Sequence, residues 1–206
     1  MGDRTNRTNR TNRTNRTYRT YRTELIPPHG GYRKLKSYQM AEIIADLTPI
    51  FCERFLEGTP KTNRTHDQMI QSSRSGCSNL AEASQDSGTS KKMEIKLVGV
   101  ARGSLEELLN DFLAFLRRKN LSLWGKNDPR VLEIRALSYR TYKTYRTYMT
   151  YFNNAEAAAN CMICLIHQAN YLIDQQLRAL ERDFLEKGGF TERLYQTRKK
   201  ILGQKN

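Results

Sequence analysis

No stretch of the chain approaches the ~20 uninterrupted apolar residues that a membrane-spanning helix needs, so no membrane association is expected. The first 24 residues hold no aliphatic side chain beyond Met1. Lacking the apolar centre of a secretory signal, the protein is expected to be cytoplasmic. Histidine is scarce, with only His29, His66 and His167, and the Glu-x-x-His signature of di-metal bundles does not occur. Gly30-Gly31 and Gly188-Gly189 lack the spacing of a phosphate-binding loop. No segment alternates apolar and polar residues as a strand would. Cys161-Met162-Ile163-Cys164 has metal-like spacing with His167 three residues on, but in a continuous helix these positions drift around the axis, and no second Cys-x-x-Cys exists. Glu106, Glu107 and Asp111 read as a solvated helix face. No catalytic residue, metal ligand or cofactor is therefore expected, and the chain is not expected to be an enzyme.

What is present is a polar, basic chain. Hydrophobic residues make up 38% of it and the mean hydropathy is −0.74, so a sizeable share should lie outside one core. Cys52, Cys77, Cys161 and Cys164 all sit in apolar-periodic segments, which suits reduced thiols in a core. The net charge is +14. Residues 1–36 carry ten Lys/Arg against Asp3 and Glu24, a net of +8, and the other 170 residues carry 25 against 19, a net of +6. That balance favours anionic partners, nucleic acid first.

Residues 4–23 repeat a tripeptide: four copies of Arg-Thr-Asn, two of Arg-Thr-Tyr, then Arg22-Thr23. A second run of the same period extends from Tyr139 to Tyr151, and a fragment recurs at Thr62-Asn63-Arg64-Thr65. Period three matches neither the strand period of 2 nor the α-helical 3.6, so neither run is expected to present a core-facing stripe. The N-terminal run should be disordered. Its arginines and tyrosines suit phosphates and bases, whereas expansion of a gene-level repeat explains the same pattern without a role; both readings stay open. The Asn-x-Thr triplets from Asn6 onward carry no glycosylation inference in a chain without a secretory signal.

Beyond Pro27-Pro28-His29-Gly30-Gly31 the period becomes helical. Ser37 is a plausible N-cap for a first helix with Met40, Ile43, Ile44, Leu47, Ile50, Phe51 and Phe55 on one face, bent or interrupted at Pro49 and ended by Gly58 and Pro60. A second helix, capped by Thr65 with Asp67 in its first turn, should turn Ile70, Ser73, Cys77 and Leu80 inward, with Gly76 completing a small-residue face that admits a close neighbour. Residues 83–92 read as a polar connection. The third helix is the clearest: Val98, Ala101, Leu105, Leu108, Phe112 and Phe115 keep alternating spacings of three and four, widened by Leu109, Leu113 and Leu116 and closed by Arg117-Arg118-Lys119-Asn120. Asp128-Pro129 announces a fourth start, with Val131, Ile134 and Leu137 on one face. After the tyrosine run the pattern resumes near Ala155 and continues through Met162, Ile166, Ala169, Ile173, Leu177, Leu180 and Phe184 to a Gly188-Gly189 cap. A basic helix from Thr191 to Leu202 ends the chain.

These elements predict an all-α protein, an antiparallel four-helix bundle over 32–187 with a Tyr/Thr-rich insertion at 138–153, a disordered basic tail at 1–31 and a helical suffix at 188–206. The segment from Met69 to Ser84, with Ser73-Arg74-Ser75-Gly76-Cys77-Ser78-Asn79-Leu80-Ala81-Glu82, resembles the signature of the four-helix bundle proteins related to 23S rRNA intervening-sequence proteins. Ala101-Arg102-Gly103-Ser104-Leu105-Glu106-Glu107-Leu108 resembles a second segment of that family. Pro129 to Lys200, including Asn170-Tyr171-Leu172-Ile173-Asp174, looks like its branch with a C-terminal suffix domain. The family is similar to the accessory variability proteins of diversity-generating retroelements, which are basic pentameric bundles that bind RNA and a reverse transcriptase. The resemblance implies a non-catalytic homo-oligomeric accessory module, with a pentamer and a reverse-transcriptase partner as further implications. The expected function is nucleic-acid binding, RNA ahead of DNA, with Arg74, Arg102, Arg117, Arg118, Lys119, Arg198, Lys199 and Lys200 as candidate phosphate contacts. The alternative is a protein-binding scaffold whose long last bundle helix and suffix dock a partner.

Overall fold

Apolar side chains at three- and four-residue spacing build six α-helices in the computed structural model: α1 (Lys36–Phe55), α2 (Arg64–Asp86), α3 (Lys91–Arg118), α4 (Pro129–Leu137), α5 (Ala155–Lys187) and α6 (Phe190–Gly203). Residues 25–57, 64–140 and 143–203 are described, and no strand occurs among them. The described chain is all-helical. The N-terminal repeat, Gly58, Pro60 and Thr62-Asn63 lie outside the described residues, and so do the expectations attached to them. No described helix is long and apolar enough to cross a membrane.

α1 packs on α2 and α5, and α3 packs on the same two, so these four long helices enclose one core. The expected stripe of α3 is buried from Val98 to Phe115, with Leu109 and Leu116 beside it. α1 contributes Met40, Ile43, Ile44, Leu47 and Phe51. The Phe51 ring stands 5.3 Å from Phe55, 4.8 Å from Phe112 and 5.0 Å from Phe115, which knits α1 to α3. α5 buries Ala158 to Ile166, Ala169, Asn170 and Ile173, whereas Leu177, Leu180 and Phe184 are only half-buried. Gly188 closes it with φ +66°, a left-handed conformation that favours glycine. α4 lies against α5, and Asp128 caps it as expected, its carboxylate accepting from the Arg130 N–H at 2.9 Å.

Several sequence expectations are corrected. Ser37 is not the cap: α1 begins at Lys36, and the Ser37 hydroxyl donates to Gln176 Oε1 at 2.6 Å, so a bond to α5 replaces a cap. Thr65 lies inside α2, which begins at Arg64. Pro49 does not interrupt α1, and Ala45, whose carbonyl loses its helical donor there, sits only half-buried. The inward face of α2 is His66, Met69, Ser73, Gly76, Leu80 and Ala83, with Ile70 and Cys77 half-buried at its edge. The connection expected at 83–92 shrinks to Ser87–Ser90, where Ser90 caps α3 by accepting from the Met93 N–H at 3.2 Å. Residues 25–31, expected to belong to the tail, touch the body: the Gly30 N–H donates to the Ser84 carbonyl at 3.0 Å.

The tyrosine run holds the largest correction. Tyr145–Asn153 is 3₁₀ with a kink at Phe152, and 3.0 residues per turn is the regular structure that a period of three does fit. Tyr145, Tyr148 and Tyr151 therefore share one face, with Tyr148 buried and its neighbours half-buried. The repeat also supplies its own capping box, since Thr144 and Thr147 are three apart and the Thr144 N–H donates to Thr147 Oγ1 at 3.1 Å. Phe152, also buried, completes this patch on α5.

The small-residue face of α2 does what its composition suggests. A methyl group built on Gly76 would come within 2.8 Å of Leu105 Cδ2, on a side chain that is itself fully buried. Gly76→Leu is therefore expected to lower stability by ~1–3 kcal/mol through overpacking, measured by urea unfolding monitored by circular dichroism. A variant as stable as the parent would mean that α2 and α3 can separate there without loss.

Candidate nucleic-acid interface

The eight basic residues singled out from the sequence do not converge. Arg74 lies exposed on α2 in a shallow groove shared with Asp67. Arg102 is held by two carboxylates, Glu106 at 2.6 Å and Asp174 at 3.2 Å. Arg118 and Lys119 line another recess with Glu57 and Asp111, and Lys119 Nζ pairs with Glu57 at 2.6 Å. Arg117 is exposed at the same helix end, which turns through Asn120 at φ 51°. Arg198 and Lys199 lie along α6 beside Tyr195 and Leu202, with Lys200 next to them, on a helix that packs against the four long helices far less than those pack on one another. Arg102 and Lys119 thus already have anionic partners within the chain.

A different cluster does converge. A cavity of about 760 Å³ is walled by Lys34 and Lys36 where the chain enters α1, by Arg135 in the last turn of α4, by Arg140 and Lys143 after it, and by His167 on α5. Met40 and Leu172 supply apolar wall, Gln39, Gln168 and Ser138 uncharged polar groups, and Tyr139 and Tyr171 the aromatic surface. No described aspartate or glutamate lines it. None of the five Lys/Arg residues forms an ion pair with a described carboxylate. Arg135 donates from Nη1 to the Lys126 carbonyl at 3.2 Å. Burial, with Lys36 close by, holds the Lys143 amine below its usual pKa. α1 starts at this cavity with no side-chain cap, which adds the positive end of its dipole.

The cavity absorbs residues that the sequence assigned elsewhere. Tyr139 and Arg140 open the period-three run that continues into the 3₁₀ segment, and Tyr139 remains 88% exposed while Tyr148, further along the same run, is buried. Tyr171 on α5 is 64% exposed. The Cys161, Cys164 and His167 trio is split: both thiols are buried, and His167 is exposed at the cavity. Burial pushes the Cys161 thiol well above its ordinary pKa, which keeps it protonated.

Sequence reasoning missed these cavity residues because they are spread over positions 34–172 and form no motif. The pair Lys34 and Lys36 was the only local signal, counted there in the net charge of residues 1–36. A second network was missed as well. The Trp124 backbone N–H donates to Asn160 Oδ1 at 2.8 Å, its indole N–H donates to Glu156 Oε1 at 3.0 Å, and the Arg130 guanidinium lies 3.7 Å from its ring centre. These contacts fasten the loop between α3 and α4 to the start of α5.

Comparison with protein-family models, with curated proteins and with solved structures returns no match.

Proposed function

We propose that this chain is a non-catalytic, homo-oligomeric nucleic-acid-binding accessory protein, with RNA preferred, built on an antiparallel four-helix bundle of α1, α2, α3 and α5. The arrangement is supported by the closed set of contacts among those helices and by the four-residue turn between α2 and α3, which makes neighbours run in opposite directions. The function rests on one observation: five Lys/Arg side chains and two exposed tyrosines meet in a cavity that no described carboxylate lines. Cations there meet phosphates, and the tyrosine rings offer stacking surface to unpaired bases.

Oligomer formation is supported by apolar side chains left uncovered beyond the bundle. Leu185 is 78% exposed at the end of α5, and Tyr195 and Leu202 are more than half exposed on α6. That same surface favours the second reading, a scaffold that docks a protein partner; by resemblance the partner would be a reverse transcriptase.

Binding of single-stranded RNA is expected to weaken steeply between about 50 and 200 mM salt, as release of counterions from several phosphates requires. It is expected to survive deletion of residues 1–24, with a shallower salt slope because seven arginines go with them. Fluorescence anisotropy with full-length and shortened protein reads both effects, with light scattering for mass. Loss of all RNA binding on deletion would leave the scaffold reading in its place.

A further inference from the structure

The cavity gathers more positive charge than the phosphodiester of a single nucleotide uses. About 760 Å³ lies within the ~300–1,000 Å³ range of small-ligand pockets, so one nucleotide fits. An internal stretch of single strand short enough to fit brings one negative charge per phosphodiester, whereas the walls present five Lys/Arg residues with no described carboxylate among them. Lys36 and Lys143 come from distant parts of the sequence and line the same cavity, where burial and the nearby Lys36 charge disfavour the charged form of Lys143. This repulsion has no counterweight within the described chain. A ligand with several negative charges at one end would supply that counterweight.

The opposite needs also meet there. Tyr171 and Tyr139 offer ring faces to a base. Gln168 lines the same cavity with a buried Oε1 that accepts no hydrogen bond, while its Nε2 reaches only the Cys164 sulfur at 3.8 Å. A rotation of the side chain would present that acceptor to a hydroxyl or amino donor on the ligand. Bare polyphosphate would use the cations and leave the aromatic and amide groups idle.

We infer that this cavity binds a nucleoside 5′-triphosphate group, carried either by a free nucleotide or by the 5′ end of an unprocessed RNA. Only the second source rests on the nucleic-acid reading above. Lys34, Lys36, Arg140 and Lys143 take the phosphates, and Tyr171 takes the base.

The test uses the full-length protein and one short single-stranded RNA sequence prepared with a 5′-hydroxyl, a 5′-monophosphate or a 5′-triphosphate, alongside ATP and inorganic triphosphate. The triphosphorylated RNA is expected to bind about tenfold or more tightly than the hydroxyl form, as several charge-assisted hydrogen bonds require, and ATP to remove that increment by competition. Lys36→Ala with Lys143→Ala should abolish the increment at unchanged melting temperature. Tyr171→Ala, at an exposed position, should weaken ATP but not inorganic triphosphate. ATP binding without any preference among the RNA ends would assign the site to free nucleotide. ATP binding with no RNA binding at all would sustain this inference and remove the nucleic-acid reading. Equal affinity for the three RNA ends together with no ATP binding would overturn the inference and leave that reading intact. Inorganic triphosphate binding as tightly as ATP would overturn the nucleoside assignment.

Discussion

Phe51→Ala is expected to lower the unfolding free energy by ~3–5 kcal/mol, the range for a buried phenylalanine truncated to alanine. Phe51 is fully buried, and its ring touches three others: Phe55 on its own helix, and Phe112 and Phe115 on α3. Two of these contacts are edge-on at 4.8 and 5.0 Å, geometries that add to burial alone. The truncation leaves a cavity bounded by rings that cannot collapse into it, because Phe112 and Phe115 are anchored in a helix buried along its length. A loss of this size is a large fraction of the ~5–15 kcal/mol that holds a domain of ordinary stability together. In a chain of this length it corresponds to a fall in melting temperature of roughly 6–20 °C. Leu123→Ala serves as the control, since that side chain is exposed in the loop between α3 and α4 and should change stability by less than about 0.5 kcal/mol. Chemical denaturation of both variants decides the point. A loss below about 1 kcal/mol for Phe51→Ala would separate α1 from α3 and undo the packing described above.

The sequence made the long helices legible because their apolar spacing has a single explanation. Val98 to Phe115 fits a 3.6-residue period and nothing else, and every one of those stripe side chains is buried. Asp128-Pro129 and Gly188-Gly189 were legible for a different reason: each combines residue types whose backbone preferences coincide with a helix end. Ser37 and Thr65 failed as caps because a hydroxyl near a helix start is also free to bond elsewhere, as Ser37 does with Gln176. The tyrosine run failed because a period of three was tested against two regular structures and not the third. A 3₁₀ helix is usually short, so its period is seldom sustained long enough to be noticed; the repeat sustains it.

The candidate site was the least legible part, and the reason is geometric. Charge runs such as Arg117-Arg118-Lys119 and Arg198-Lys199-Lys200 are conspicuous in sequence, but consecutive residues on a helix point in successive directions about its axis and cannot converge on one phosphate group. The cavity draws instead on single residues at the ends of elements, where α1 begins, where α4 ends, and on one exposed face of α5. Their proximity is a property of the packing of three elements. No spacing rule along the chain would have found it.

These two kinds of basic surface make opposite predictions about RNA binding. Lys36→Glu with Lys143→Glu lowers the net charge from +14 to +10, whereas Arg198→Glu, Lys199→Glu and Lys200→Glu together lower it to +8. If non-specific attraction to the whole chain governs affinity, the triple variant must lose more, since it removes more charge. If the cavity is the site, the double variant must lose more, because it places two carboxylates where no described one lies. The expected result is a loss of at least about tenfold for the double variant near 100 mM salt, with a salt slope reduced by roughly 1–2, as the removal of two single-strand phosphate contacts predicts. The triple variant is expected to lose less than about threefold, since α6 packs little against the bundle and its cations lie outside the cavity. Lys36 is exposed and Lys143 half-buried, so helical circular dichroism and melting temperature should hold in both variants. Anisotropy titrations of the two variants against the same single-stranded RNA, over a salt series, give the answer. A larger loss in the triple variant would move the interface to α6 and return the conspicuous charge run to first place.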